Sequence, residues 1–155
     1  MLARVCQVAR ERALTPAVMT FEPHPREYFA TLNHRPELAP TRISGLRDKL
    51  AALARYGVSQ VVVERFNARL AEMSANAFIE NLLVGGLNAK WLLVGEDFRF
   101  GHKRSGDIDL LREAGLRHGF EVQTLADVTD RHGHRISSSE VRTALAVGDL
   151  DRARH

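Results

Sequence analysis

Residues 136–142, Ile-Ser-Ser-Ser-Glu-Val-Arg, set three hydroxyls one turn ahead of an arginine. The pattern behind them predicts a helix over Ser138–Val147 with Ser137 as its N-cap. A helix N-terminus has unpaired N–H groups and a partial positive charge, which makes it an anion site. With Ser137 at the cap, Ser138 and Arg142 are four residues apart and share a face. Arg142 can then fork onto a phosphate lying over the same helix end. The same residues also make an ordinary capped surface helix with a solvated arginine, because serine caps are common.

Two more segments carry unusual chemistry. In residues 21–25, Phe-Glu-Pro-His-Pro, two prolines flank His24, and Phe29 lies beyond. Pro23 and Pro25 form either a rigid apolar wall for a ligand or merely a stiff strand exit. Residues 95–107, GEDFRFGHKRSGD, place Asp97 close to two phenylalanines, Phe98 and Phe100, that flank Arg99. Asp97 could coordinate Mg²⁺ together with substrate phosphates, and the rings could stack on a planar ligand. The alternative is a loop pinned by two buried phenylalanines, with His102, Lys103 and Arg104 as solvated charge. A further grouping, His132-Gly133-His134, looks metal-like. Gly133 sits where a turn belongs and no further ligands lie nearby, so it reads as an exposed turn.

The elements that would position these residues alternate. Leu2 to Ala13 has a helical pattern ended by Pro16. Residues 17–21, AVMTF, read as a buried strand, Arg26 to Thr41 as a loop, and Leu46 to Tyr56 as a helix capped by Ser44 and closed by Gly57. QVVVERF follows as a strand, then a helix from Ser74 to about Val84 ended by Gly85 and Gly86. Ala89 to Val94 is a third strand, Ile108 to His118 a helix stopped by Gly119, and FEVQTL a fourth strand. Strands alternating with helices argue for a parallel α/β sheet in one domain over residues 1–155, with right-handed crossovers. Ligands of such sheets sit beyond the carboxyl ends of the strands. The three unusual segments all follow strands.

Composition narrows the classes. A net charge of +3 with scattered basic residues suits an anionic small molecule better than nucleic acid. Cys6 is the only cysteine, which excludes an internal disulfide and fits a reducing cytoplasm. No apolar run approaches the roughly 18 residues of a membrane span.

Taken together, these segments resemble the FMN adenylyltransferase domain of bacterial bifunctional riboflavin kinase/FMN adenylyltransferases, the FAD synthetases. TFEPHPREYF resembles the family's flavin-side segment, LVGEDFRFGHKRSGD its signature loop, and ISSSEVR its I-S-S-T-x-I-R motif, with Ser139 in place of threonine and Val141 in place of isoleucine. The resemblance implies a Rossmann-like, doubly wound parallel sheet of the nucleotidyltransferase superfamily. It implies transfer of AMP from ATP to FMN, with Mg²⁺. It assigns Ser137, Ser138, Ser139 and Arg142 to the ATP phosphates, with Ser138 and Arg142 catalytic. Pro23, Pro25, Phe29 and Phe100 fall on the flavin side, and Asp97 near the metal. A riboflavin kinase domain is the expected partner, with no nucleic acid and no membrane.

The family's opening strand and its G-x-F-D-G-x-H-x-G-H segment have no counterpart here. The resemblance therefore implies an N-terminally truncated domain whose first, central strand is missing. A buried apolar side chain contributes roughly 1.5–3 kcal/mol, so losing about four costs about 6–12 kcal/mol, comparable to the whole stability of a domain. The expectation is a marginally stable chain with impaired catalysis. The readings that compete are a non-catalytic flavin- or nucleotide-binding module and a related nucleotidyltransferase with another phosphate acceptor.

Overall fold

The computed structural model describes residues 1–126, 129 and 136–154. The His132–His134 turn lies outside them. Helix α1, Leu2–Glu11, buries Cys6, Val8 and Ala9 and turns Arg10 and Glu11 to solvent. It stops two residues earlier than its pattern predicts. Ala13 takes a positive φ of 52°, and the Leu14 N–H returns to the Ala9 carbonyl at 2.8 Å, reversing the chain before Pro16. Strand β1, Ala17–Glu22, pairs in parallel with β2, Gln60–Arg65, from Ala17 opposite Gln60 to Glu22 opposite Arg65.

The stretch read as a loop after residue 25 is instead opened by helix α2, Pro25–Leu32. Proline suits the first helical position, where its missing N–H is not needed. His24 takes the cap position, its Nδ1 accepting the Arg26 N–H at 3.1 Å, while Glu27 accepts the His24 N–H at 3.3 Å. Histidine is not among the common caps, which hid this start. Helix α3, Leu46–Arg55, follows, capped at Gly45 with no side-chain bond rather than at Ser44.

Short α4, Ala68–Ala71, has Asn67 as its cap and was not anticipated. Ser74 caps α5, Ala75–Phe78, as expected, but the helix then widens into a π-helical turn over Ile79–Gly86. Strand β3, Trp91–Gly95, pairs in parallel with β4, Glu121–Leu125. Between them runs α6, Ile108–His118, ended by Gly119 at φ 74°. The chain closes with α7, Ser138–Ala146, and α8, Leu150–Arg154.

The result is α/β, with its described strands in two parallel pairs rather than one continuous sheet. The larger core gathers α5, the π-helical turn, Phe100, α6 and Phe120, with Ile79, Leu111 and Ala114 almost fully enclosed. A smaller core packs Cys6, Leu53 and Val58. Helix α1 and the residue after it reach the second pair: Arg12 bonds Glu121 at 2.7 Å, and Arg4 reaches Gln123 at 3.4 Å. Between the pairs lies a cavity of about 600 Å³, lined by Val5, Val8, Met19, Leu93 and Phe98 among others. Every residue of β1 and β3 stays only half-buried.

Gly115 sits inside α6, where glycine costs about 1 kcal/mol relative to alanine. A Cβ built there would meet the Phe120 carbonyl oxygen at 2.4 Å. That oxygen is backbone, so it cannot swing aside, and overpacking costs about 1–3 kcal/mol. The clash outweighs the helical gain. Gly115→Ala is therefore expected to lower the melting temperature by several degrees. An equal or higher melting temperature would contradict this packing.

Candidate functional site

At the carboxyl end of β1 the chain passes through Pro23, His24 and Pro25 into α2, so the wall expected there is the start of a helix. Phe29 lies one turn on and is 42% exposed. Its ring meets Tyr28 at 5.3 Å and Phe66 at 5.8 Å, and Phe66 also packs edge-on to Phe21 at 6.0 Å. Phe66 follows β2 directly, and sequence reasoning passed over it. Two adjacent parallel strands deliver their next aromatics to the same end, which is the signal that could have found it.

Ser137 caps α7 as expected, its hydroxyl accepting the Glu140 N–H at 3.2 Å. Arg142 lies on the same face as Ser138. Its Nη1 donates to the Ser138 carbonyl at 3.1 Å, and its Nε donates to the Thr41 carbonyl at 2.7 Å. That second bond ties the last segment to the stretch before α3. Next to Thr41, Arg42 forks onto Glu27 with Nε–Oε1 2.8 Å and Nη2–Oε2 2.6 Å, and its Nη2 also contacts Glu22. The residues flanking Pro23–Pro25 are thereby joined to Arg142 through two neighbouring residues. No local sequence signal marks Thr41, which ends the stretch expected as loop, or Arg42, which lies just past it.

The loop after β3 is held differently. Phe100 is 6% exposed, pairs with Gly106 in an isolated bridge, and packs on Phe78 at 5.4 Å and Phe98 at 5.5 Å. The His102 N–H donates to the Met73 carbonyl at 2.7 Å. Arg99 reaches Asp107 at 3.3 Å. Phe100 is thus a core residue here, with Phe98 half-buried beside it. Asp97 lies exposed just beyond β3. Among the described residues no group of three His, Cys, Asp or Glu is gathered to hold a metal. Mg²⁺ commonly takes only one or two protein carboxylates, with phosphates and water completing its shell. Asp97 fits that minimal share.

The electrostatics follow from the clasp. The Arg42 fork holds the Glu27 carboxyl below its ordinary value, with the His24 backbone N–H adding to the effect. Arg42 is raised in turn by Glu27 and Glu22. His24 keeps solvent contact, yet partial burial of its imidazole lowers its pKa. The charges of Arg142, Arg26 and Lys49 push the same way against Glu27. The cap bond from Arg26 also requires an unprotonated Nδ1.

These directions give a pH dependence. The unfolded chain takes up the His24 proton near 6.5, above the folded value. The stability from a neutral His24 is thus full above about 6.5 and is lost as pH falls through the lower folded value. Glu27 contributes above its unfolded 4.5 and loses that only in stronger acid. Between pH 7 and 5 the melting temperature is expected to fall more in the natural chain than in His24→Asn, which keeps a cap that does not titrate. Parallel pH profiles would remove His24 from the account.

Comparison with known proteins matches residues 1–140 to the family described as FAD synthetase. The bifunctional riboflavin kinase/FMN adenylyltransferase of Escherichia coli K12 is 47% identical over 141 residues, covering 91% of this chain and 43% of that protein. The Pseudomonas fluorescens protein of the same name is 42% identical over 152 residues, covering 98% and 47%. The chain thus spans less than half the length of these relatives. Among solved structures, one described as a macrolide-efflux protein from Streptococcus pneumoniae superposes with a TM-score of 0.75 at 26% identity. It covers 98% of this chain and 48% of that one. The aromatic wall after β1 and β2 and the serine–arginine end of α7 therefore lie in a chain that belongs to the FAD synthetase family.

Proposed function

We propose that this chain, as one domain over residues 1–155, carries an FMN adenylyltransferase site that converts FMN and ATP to FAD and pyrophosphate. The observation that carries the reading is the tie between the amino end of α7 and the Pro23–Pro25 turn, made through Thr41 and Arg42. It ties the amino end of α7, which would bind phosphate, to the apolar and aromatic turn after β1, which would bind flavin. Family membership supports it.

An FMN phosphate oxygen bonds to the α-phosphorus of ATP as the bond from that phosphorus to the bridging oxygen breaks. Pyrophosphate leaves with the electron pair. The protein's work is positioning and charge stabilisation. Ser138, Ser139 and the open N–H groups of α7 would hold ATP phosphates, with Ser137 shaping the cap, and Arg142 would stabilise charge developing on the leaving group. Pro23, Pro25 and Phe29 would bound the flavin. Phe100, which the resemblance puts on the flavin side, is packed in the core here. Mg²⁺, held by Asp97 and phosphate oxygens, would neutralise part of the phosphate charge.

Three finer readings accompany this one. The two strand pairs are halves of a Rossmann-like, doubly wound sheet with a central strand's place between them, supported by the half-buried β1 and β3 and the cavity they line. A riboflavin kinase domain accompanies this one, supported by the names and lengths of the relatives. The setting is cytoplasmic, supported by the single, buried cysteine; no helix among the described residues is long and apolar enough to cross a membrane.

The test titrates the purified chain into FMN with ATP and Mg²⁺, following flavin fluorescence and then assaying FAD. Quenching with FAD formation supports the reading. Quenching alone leaves a flavin-binding module and overturns the transferase. A chain that melts cooperatively yet does not quench overturns both. Given turnover, Arg142→Ala is expected to lower kcat/KM by about 10²–10³, with Arg142→Lys recovering only part because an ammonium cannot keep the two carbonyl bonds that aim the guanidinium. Phe29→Ala should weaken FMN binding about three- to tenfold and leave ATP binding unchanged.

A further inference from the structure

We propose that Arg42 is a positioning residue: by forking onto Glu27 it fixes the Thr41 carbonyl that aims the Arg142 guanidinium. The proposal rests on reading the amino end of α7 as the phosphate site. Among the described residues, Arg142 has two neighbours that set its direction. One, the Ser138 carbonyl, belongs to its own helix and turns with it. The other, the Thr41 carbonyl, is the only one of the two that fixes the guanidinium relative to the rest of the fold. Thr41 stands just before α3, where no helix or strand holds it. What holds it is the side chain of its neighbour.

Arg42 meets two carboxylates at once. Glu27 receives both arms of its fork, and Glu22 receives Nη2 as well. An isolated surface ion pair contributes little order, but a bidentate pair within a network is the exception. The Glu27 side chain is only 17% exposed and is already fixed as the partner of His24 at the start of α2. Arg42 is therefore anchored to a rigid corner, the turn that carries Pro23 and Pro25. Through it the two halves of the site are held in one register: whatever moves α2 moves the carbonyl that points Arg142. Lysine at 42 would keep the charge and lose the fork.

The test reads Arg142 directly and then the reaction. In the ¹⁵N-labelled chain, the Nε–H resonance of Arg142, assigned by its loss in Arg142→Lys, is expected to be protected from exchange. Thr41→Ala should leave it in place, because the acceptor is backbone. Arg42→Lys should return it to the solvent-exchanging arginine region, while the amides of β3, β4 and α6 keep their shifts. Glu27→Gln, a milder change at the same fork, should move it the same way. If either fork variant melts cooperatively and leaves the resonance unchanged, the proposal is overturned. In FAD formation, Arg42→Lys should lower kcat about ten- to a hundredfold. Added to Arg142→Ala, it should lower kcat by less than about twofold, since a residue acting through another has nothing left to act through. Fully multiplicative effects would overturn the proposal. If the resonance responds but the unsubstituted chain forms no FAD, the clasp stands and the transferase reading is what fails.

Discussion

Parallel pairing is the constraint from which the rest of this structure follows. Parallel strands cannot be joined by a tight turn, so each pair needs a long crossover, usually helical. Here β1 reaches β2 through α2 and α3, and β3 reaches β4 through α6. Parallelism also brings the carboxyl ends of both strands in a pair to one side. The residues that leave β1 and β2 consequently meet: Phe21, Tyr28, Phe29 and Phe66 form one ring cluster although 45 positions separate Phe21 from Phe66 (66 − 21). The site is a by-product of strand direction before it is a matter of individual side chains.

Within that frame, two kinds of order hold the functional segments. The loop after β3 is ordered by burial. Phe100 is driven into the core, and the backbone around it is fixed by bonds to Met73 and Gly106. The turn after β1 is ordered by charge and hydrogen bonding, through His24, Glu27, Glu22 and Arg42. Apolar burial neither titrates with pH nor is screened by salt. An exposed network of ions is sensitive to both. The two sides of the site thus answer to different conditions, and the half tied to Arg142 is the more easily perturbed.

Much of this was legible in the residues. Ser137 and Ser74 are capping serines in the structure because hydroxyl caps obey local geometry. Gly119 stops α6 because a left-handed residue is what a helix end commonly needs. The strands were found within two residues of their ends, since period and β-branching mark them. Two things escaped. Helix α2 was missed because its cap is a histidine and its first residue a proline, and the pair looked like rigid loop. The clasp was missed because Arg42, Glu22 and Glu27 come together only after α2 has formed; nothing in the local pattern of an isolated arginine says which carboxylate it will find. The loop alternatives at Phe98 and Phe100 could not be separated from sequence either, since an aromatic that stacks on a ligand and one that fills a core are the same residue type.

The strand pairs carry one more consequence. β1 bonds β2 along one edge and β3 bonds β4 along one edge, and among the described residues the other edge of each faces the cavity between the pairs. Successive N–H groups along a strand point to opposite edges. In β1 and β3, then, one amide is locked in a ladder and the next has no strand partner among the described residues, residue by residue. An amide-exchange map of these strands would show a two-residue rhythm of slow and fast exchange in place of the uniform protection of a sheet interior, and the phase of that rhythm would name which residues look into the gap.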